Sequence, residues 1–588
     1  MRMRKTHYAA VLAVGALSLS ACSSGGGSGA GGTADVAKPT VQTITLGSAA
    51  DSQGPAPAVD GAKKGGTVND LEQDDFNHLD PGQLYVSNQQ AIAPLYSRTL
   101  TGYKVDPKSG SEKLVGDLAT DTGEASADKK TWTYHLKDGL KYEDGTPITS
   151  QDVKYGIERL YADFETEGPI YVQTWLSGQD YRKVYQGPYG GKDLPDSVIS
   201  TPDSKTIVFH FQAPHADAPY AMSMPNVSPI PKAKDTKQKY DQHPVSSGPY
   251  KIESYNAGKS LVLVRNDNWD PKTDPIRDAY PDKWNFELGI QDPGLTERLM
   301  AGSGDDKDAL SLSQSAAPSQ MVTILGDSKL KSRTVNQYQP FVEELSINTS
   351  RVKDPKVRQA IAYAFPTKQV QQALGGAAQM DVGSNLLSPT IGGFKPYDPY
   401  GKLTNPNGDP AKAKELLKEA GVSNLKLTLA FANTPKWRNF GTTLKNAFAK
   451  AGIDLQLQSI DATSYYTLVG KVNNPYDLYR TGWGADWGNG STVIPPVRDG
   501  RIIADGVANY THINDPHVNS EIDRINAITD LKTQQAEWEK LSEYILKNDS
   551  PSVPFGYDKF FNIYGEGLGG VTFRQDLGVI NANTVYVK

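Results

Sequence analysis

The 588 residues contain one cysteine, Cys22. A chain with one thiol has no internal disulfide, and C-x-x-C redox or metal chemistry is excluded. Neither H-E-x-x-H nor G-x-S-x-G occurs. Positive charge is not in excess either: the net charge is −6 and the basic residues are spread evenly, so nucleic acid is not an expected partner. After the N-terminus no apolar run approaches the roughly eighteen residues of a membrane-spanning helix.

The partial motifs that remain are weak. Gly258-Lys259-Ser260 ends like a phosphate loop, but Glu253 stands where its first glycine belongs. Gly27, Gly29 and Gly32 match a dinucleotide pattern inside a glycine-serine run with no strand before it. Ser126 with Lys129 and Ser423 with Lys426 have a serine–lysine spacing without companion motifs. His210/His215 and His512/His517 are five apart, which puts neither pair on one helical face. No metal, cofactor or catalytic residue is expected. A catalytic triad can assemble from distant residues, yet binding is the better default than catalysis.

Arg2, Arg4 and Lys5 precede a short apolar stretch, Tyr8–Leu19, which Leu19-Ser20-Ala21-Cys22 closes. This is the form of a signal peptide over 1–21. Leu-Ser-Ala-Cys looks like the lipobox of bacterial lipoproteins, which implies cleavage before Cys22 and lipidation of its thiol. Residues 22–64, opening S-S-G-G-G-S-G-A-G-G after the cysteine, have little apolar surface to offset ordering entropy and read as a flexible tether with a reach of roughly 35 Å. The expected location is the outer face of a cell membrane, extracellular or periplasmic, held by the lipid on Cys22.

Residues 65–588 are too many for one hydrophobic core. Strand-like alternation at 132–136, 206–211, 261–264, 425–429 and 453–457 is interleaved with helices whose ends are legible. Thr149 with Asp152 opens one, Asp354-Pro355 another, Asp409-Pro410 a third that Gly421 stops, and a fourth runs from about 436 to Gly452. This is an α/β pattern with no 20–50-residue repeat. Two joints, near 285–294 and 554–564, divide it, and a chain that crosses out and returns can close two lobes around a cleft.

The most distinctive stretch is Y-D-L-Y-R-T-G-W-G-A-D-W-G-N-G-S-T, from Tyr476 to Thr492. Trp483 and Trp487 bracket Asp486. A carboxylate beside indole faces suits a cationic amine, through a charge-assisted hydrogen bond and cation–π attraction. The plainer alternative is a turn whose tryptophans pack on a neighbouring helix while the Asp caps a backbone group. Thirty tyrosines and eight tryptophans serve packing as well as binding.

Four segments together resemble the peptide-type members of the bacterial extracellular solute-binding protein family 5, the substrate-binding lipoproteins of ABC importers. They are Trp132–Arg159, Ser246–Trp269, Ser346–Phe365 and the G-W-G-A-D loop, in consistent order over about 65–588. The resemblance implies an α/β, two-lobed, periplasmic-binding-protein-like clamshell of type II with an extra subdomain inserted in the first lobe. Lobe 1 would cover 65–290 with the insert at about 86–194, lobe 2 would cover 291–558, and 559–588 would return to lobe 1. It implies a monomer that captures oligopeptides, delivers them to ABC permease subunits and does no chemistry on them.

By the same resemblance Asp486 takes the ligand's α-ammonium, Trp483 and Trp487 line the pocket, and Glu72 and Gln73, ahead of Leu79-Asp80-Pro81, lie along the peptide. The chain departs from the family pattern at Trp487-Gly488-Asn489-Gly490, where Asn or Asp and then Pro often follow, and at Pro366, where Asp is usual. The first departure reshapes the neighbourhood of Asp486. An oligosaccharide binder on the same scaffold, a secreted peptide hydrolase and a peptide-sensing receptor are the other readings left open.

Overall fold

In the computed structural model, residues 39–41 and 44–588 are described. The leader and Cys22 lie outside them.

Four sheets carry the architecture. Five strands form the first, in the order Ala309–Leu310, Thr67–Leu71, Lys283–Glu287, Ser260–Arg265, Tyr250–Asn256, parallel across the first three and antiparallel beyond. Glu124–Ala125, Thr131–His135, Thr206–His210 and Ile199–Asp203 make a four-stranded antiparallel sheet. Three short strands, Thr45–Leu46, Glu112–Gly116 and Thr101–Val105, make a third. The largest has six, in the order Met380–Val382, Ser552–Ile563, Thr334–Ile347, Leu478–Gly484, Leu425–Ala432, Ile453–Ile460.

Local chemistry places the helices. Asp354 accepts from Lys356 N at 2.8 Å and opens Pro355–Ala364, and Asp409 accepts from Lys412 N at 2.9 Å and opens Pro410–Glu419. Each cap satisfies backbone donors that a helix start leaves free, an effect of about 1 kcal/mol. Pro435–Lys450 stops before Gly452, whose φ of +77° favours glycine. These helices cover one face of the six-stranded sheet and bury Leu345, Ile361, Leu429, Phe440 and Phe555 between them.

The four-stranded sheet has its own core of Trp132, Tyr134, Val153, Ile157 and Phe209. Trp487, from a loop of the six-stranded sheet, is buried in that same cluster. A side chain of one sheet thus completes the packing of another.

The expectation of a flexible tether over 22–64 does not hold for residues 44–64. Thr45 and Leu46 pair in parallel with Lys113 and Leu114, Ser52 is fully buried with its hydroxyl accepting from Gly116 N at 2.8 Å, and Asp51 pairs with Lys113 at 3.1 Å. Low apolar content hid this segment because backbone pairing and a Ser48–Asp51 turn, rather than side-chain burial, hold it.

Two long strands link the sheets. Thr334–Ile347 and Ser552–Ile563 pair antiparallel, with the register broken between Tyr338 and Val342, where Pro340 sits. Below the break, residues 314–316 join the ribbon: Ala316 N donates to Phe561 O, Asn562 Nδ2 to Gln314 O, and Phe561 N to Ser315 Oγ.

Candidate ligand-binding site

Gly482 and Gly484 run beneath Phe341. A Cβ at 482 would stand 2.3 Å from the Phe341 ring, which must shift to admit one, and one at 484 would make a tight 3.1 Å contact with the same ring. Ala485 N then donates to Pro340 O at 2.8 Å, which ties the next turn to the ribbon's irregularity. Trp483 Nε1 donates to Thr492 O at 2.7 Å and closes the loop across its neck. At the far side Gly490 lies against Trp538 of the helix Leu531–Tyr544, where a Cβ would come within 2.4 Å.

The loop presents Asp486, whose Oδ2 accepts from the Tyr85 hydroxyl at 3.2 Å and from the Tyr171 hydroxyl. Both tyrosines come from the other side of the molecule. Tyr85 follows a turn that Asp80 caps through Gly82 N, and Asp80 is itself held by Arg159 at 2.7 Å. Tyr171 opens the helix Tyr171–Ser177. Burial pushes the Asp486 carboxyl up to about 6, against the opposing pull of the two hydroxyls. Among the described residues no cation pairs with it. Asp486 does not cap a helix.

A cavity of about 830 Å³ opens beside this point, within the range usual for small-ligand sites. Tyr85, Tyr171, Trp175 and His215 line one side, and Trp483, Trp487, Pro495 and Arg501 line the other. Asp486 does not itself line this cavity: it borders a smaller space with Gln90, Tyr103, Arg277 and Arg574, and meets the large cavity through its partners Tyr85 and Tyr171.

Of the residues expected at the site, the structure brings Asp486, Trp483 and Trp487 together. Trp483 is half-buried and its N–H is committed, so it offers a ring face. Trp487 is 1 % exposed and stands edge-on to Tyr171, with ring centroids 4.6 Å apart. Trp487 is therefore packed, as the plainer reading of the loop had it, while Asp486 is held by two hydroxyls.

Glu72 and Gln73 do not line this cavity. Glu72 is 1 % exposed at the end of Thr67–Leu71. Its carboxylate accepts from Ser311 Oγ at 3.2 Å, Ser313 N at 3.3 Å, Ser313 Oγ at 2.8 Å and Gln314 Nε2 at 3.3 Å. Gln73 is half-buried. Position in a motif had put both beside a ligand, whereas the fold uses Glu72 to hold the segment leaving the five-stranded sheet.

Sequence reasoning missed Tyr85, Tyr171, Trp175 and Asp217. None of the four stands in a motif. Asp217 Oδ2 accepts from Trp487 Nε1 at 3.0 Å, Asn489 Nδ2 at 3.2 Å and Ser491 Oγ at 2.6 Å, three donors of the same loop.

A family model described as bacterial extracellular solute-binding proteins, family 5 (middle region) matches residues 113–504. A probable D,D-dipeptide-binding periplasmic protein, DdpA of Escherichia coli K12, is 27% identical over 427 residues, 70% of this chain and 73% of that protein. The periplasmic oligopeptide-binding protein OppA of Salmonella typhimurium is 23% identical over 478 residues, 78% and 82% of the two chains. Among solved structures, a clavulanic acid biosynthesis oligopeptide binding protein 2 superposes with a TM-score of 0.83 at 28% identity, over 93% of this chain and 99% of that one.

Proposed function

This chain belongs to family 5 of the bacterial extracellular solute-binding proteins, and we propose that it captures oligopeptides between two lobes and hands them to an ABC-type permease. Its fold is the two-lobed α/β clamshell of type II binding proteins. The observation that carries the peptide reading is Asp486: a carboxylate held by the neutral hydroxyls of Tyr85 and Tyr171, which line a large aromatic cavity, with no ion pair to any described residue. A free amino terminus supplies that cation, and a neutral sugar does not.

A thermal-shift screen against peptide and sugar pools tests this. Ligand at a hundredfold excess over Kd stabilises the folded state by ~2.7 kcal/mol. Stabilisation by peptides alone is expected, and stabilisation by sugars alone would replace the reading with the oligosaccharide alternative.

Closure is part of the proposal. The expected joint near 285–294 precedes the strand Ala309–Leu310, which still belongs to the five-stranded sheet, so we place that passage between lobes at 311–317 instead and the return at 558–565. The register break at 339–341 supplies the bend. A ligand shifts an open–closed equilibrium only by its differential affinity for the two states. Small-angle scattering is expected to give a smaller radius of gyration with saturating peptide; an unchanged profile would count against closure.

Membrane attachment through Cys22 is the remaining element. It rests on Leu19-Ser20-Ala21-Cys22 and on the absence of any other thiol. Cys22→Ala is expected to move the protein from the membrane fraction to the medium or periplasm with its circular dichroism unchanged. Retention of the variant on membranes would rule out the anchor.

A further inference from the structure

Asp217 lines the same cavity, at the turn before the short helix Ala218–Ala221, and is 3 % exposed. Its three donors all reach Oδ2 and all are neutral: an indole N–H, an amide and a hydroxyl. Neutral donors satisfy lone pairs without cancelling charge. A buried carboxylate lacking a cation is costly, and among the described residues no Lys or Arg pairs with Asp217. Oδ1 accepts no hydrogen bond from the described residues and is not sealed inside the protein, so it faces the cavity.

The surroundings favour positive charge. The cavity wall carries three carboxylates, Asp217, Asp499 and Asp523, and one guanidinium. That guanidinium, Arg501, is committed to both other acids, to Asp499 at 2.9 and 2.8 Å and to Asp523 at 2.6 and 2.8 Å. His215 adds no positive charge near neutral pH, since burial pushes its imidazole down to about 4 against the pull of Asp217. Trp175, half-buried, lines the cavity; it stacks on His215 with centroids 4.0 Å apart and stands edge-on to Trp487 at 6.1 Å. Indole rings attract ammonium and, better, guanidinium groups.

We propose that Asp217 Oδ1, in the cavity it lines with Trp175 and Trp487, is a second cation subsite that receives a lysine or arginine side chain of the bound peptide. The subsite rests on the peptide reading, with the α-ammonium at Asp486. Tyr171 touches Asp486 through its hydroxyl and Trp487 through its ring, and Trp487 touches Asp217. One aromatic pair therefore separates the two acids. The substrate class is basic oligopeptides.

The test is a calorimetric titration of the full chain with three pentapeptides that differ only at position two, carrying Lys, Ala or Glu. Wild type is expected to bind Lys at least tenfold tighter than Ala, and Glu more weakly than Ala. In Asp217→Asn, which keeps an oxygen for the loop donors, the Lys/Ala ratio is expected to fall within about twofold of unity, whatever happens to both affinities. Equal binding of all three by wild type, or an Asp217→Asn that weakens Lys and Ala by the same factor, would make Asp217 a structural tie and overturn the subsite. The peptide reading fails differently, when none of the three binds. If Asp217→Asn does not fold, the Lys, Ala, Glu order in wild type decides alone.

Discussion

Asp486→Asn is expected to weaken a peptide with a free amino terminus by about ten- to a hundredfold, the 1.5–3 kcal/mol of a hydrogen bond to a charged group. The substitution keeps the side chain's shape and lets its oxygen still accept from Tyr85 and Tyr171. Asp486→Ala is expected to cost more, because the ammonium is then left in the cleft without a partner. N-acetylating the peptide should cost wild type as much as the mutation does and cost Asp486→Asn little. In that double cycle a merely structural Asp would affect both ligands alike. Equal binding of acetylated and free peptide by wild type would overturn the assignment.

The pH dependence gives the same residue a second readout with a definite sign. Burial raises the carboxyl to about 6. Ammonium capture needs the ionised form, so affinity is expected to be flat above about pH 7 and to fall tenfold per unit below about pH 6. Stability of the unliganded protein moves the other way. A carboxyl whose folded value is raised contributes stability that is fully present below its unfolded value, near 4, and lost as pH rises through about 6. Asp486→Asn should remove both slopes. Titrations and urea unfolding between pH 4.5 and 8 check them together.

Glu72→Ala is expected to destabilise the fold by about 2–4 kcal/mol, because three side chains and one backbone N–H at 311–314 lose their acceptor inside the protein. Glu72→Gln should behave differently. Burial pushes Glu72 up to about 7, and burial and the neighbouring Glu72 charge hold Asp70, on the same strand, well above the carboxylate range. The folded state therefore prefers both groups protonated, and the contribution of Glu72 to stability is present below its unfolded value and lost as pH rises through about 7. An uncharged Gln keeps an acceptor and removes the like charge. It is expected to be near neutral at pH 6 and more stable than wild type at pH 8.5 in urea unfolding. Discrimination between free and acetylated peptide should be unchanged in Glu72→Gln. A selective loss for free peptides would return Glu72 to the ligand and refute the role in holding the interlobe passage.

Short-range physics makes much of this chain legible from its residue order. The caps at Thr149, Asp354 and Asp409 act within three residues of the groups they satisfy, so their spacing alone locates helices that the fold then contains. The strand ending in Gly482-Trp483-Gly484 and the acid two residues after it are equally local features. The partners of that acid are not. Tyr85 lies 401 residues away and Tyr171 lies 315, and neither sits in a pattern that marks it.

Glu72 and Asp217 show how far tertiary structure alone decides a role. Glu72 stands ahead of a family-like motif and Asp217 in none. One became a buried acceptor for the passage at 311–314, and the other became a wall of the cavity, 270 residues from the indole it binds. The division follows range. Sequence by itself determined the α/β elements and a W-x-x-D loop, because periodicity, capping and motif spacing are contacts between near neighbours. Which carboxylate meets a ligand and which meets the protein was decided by sheet order and strand register, because burial and pairing of charge depend on residues that only the completed fold brings together.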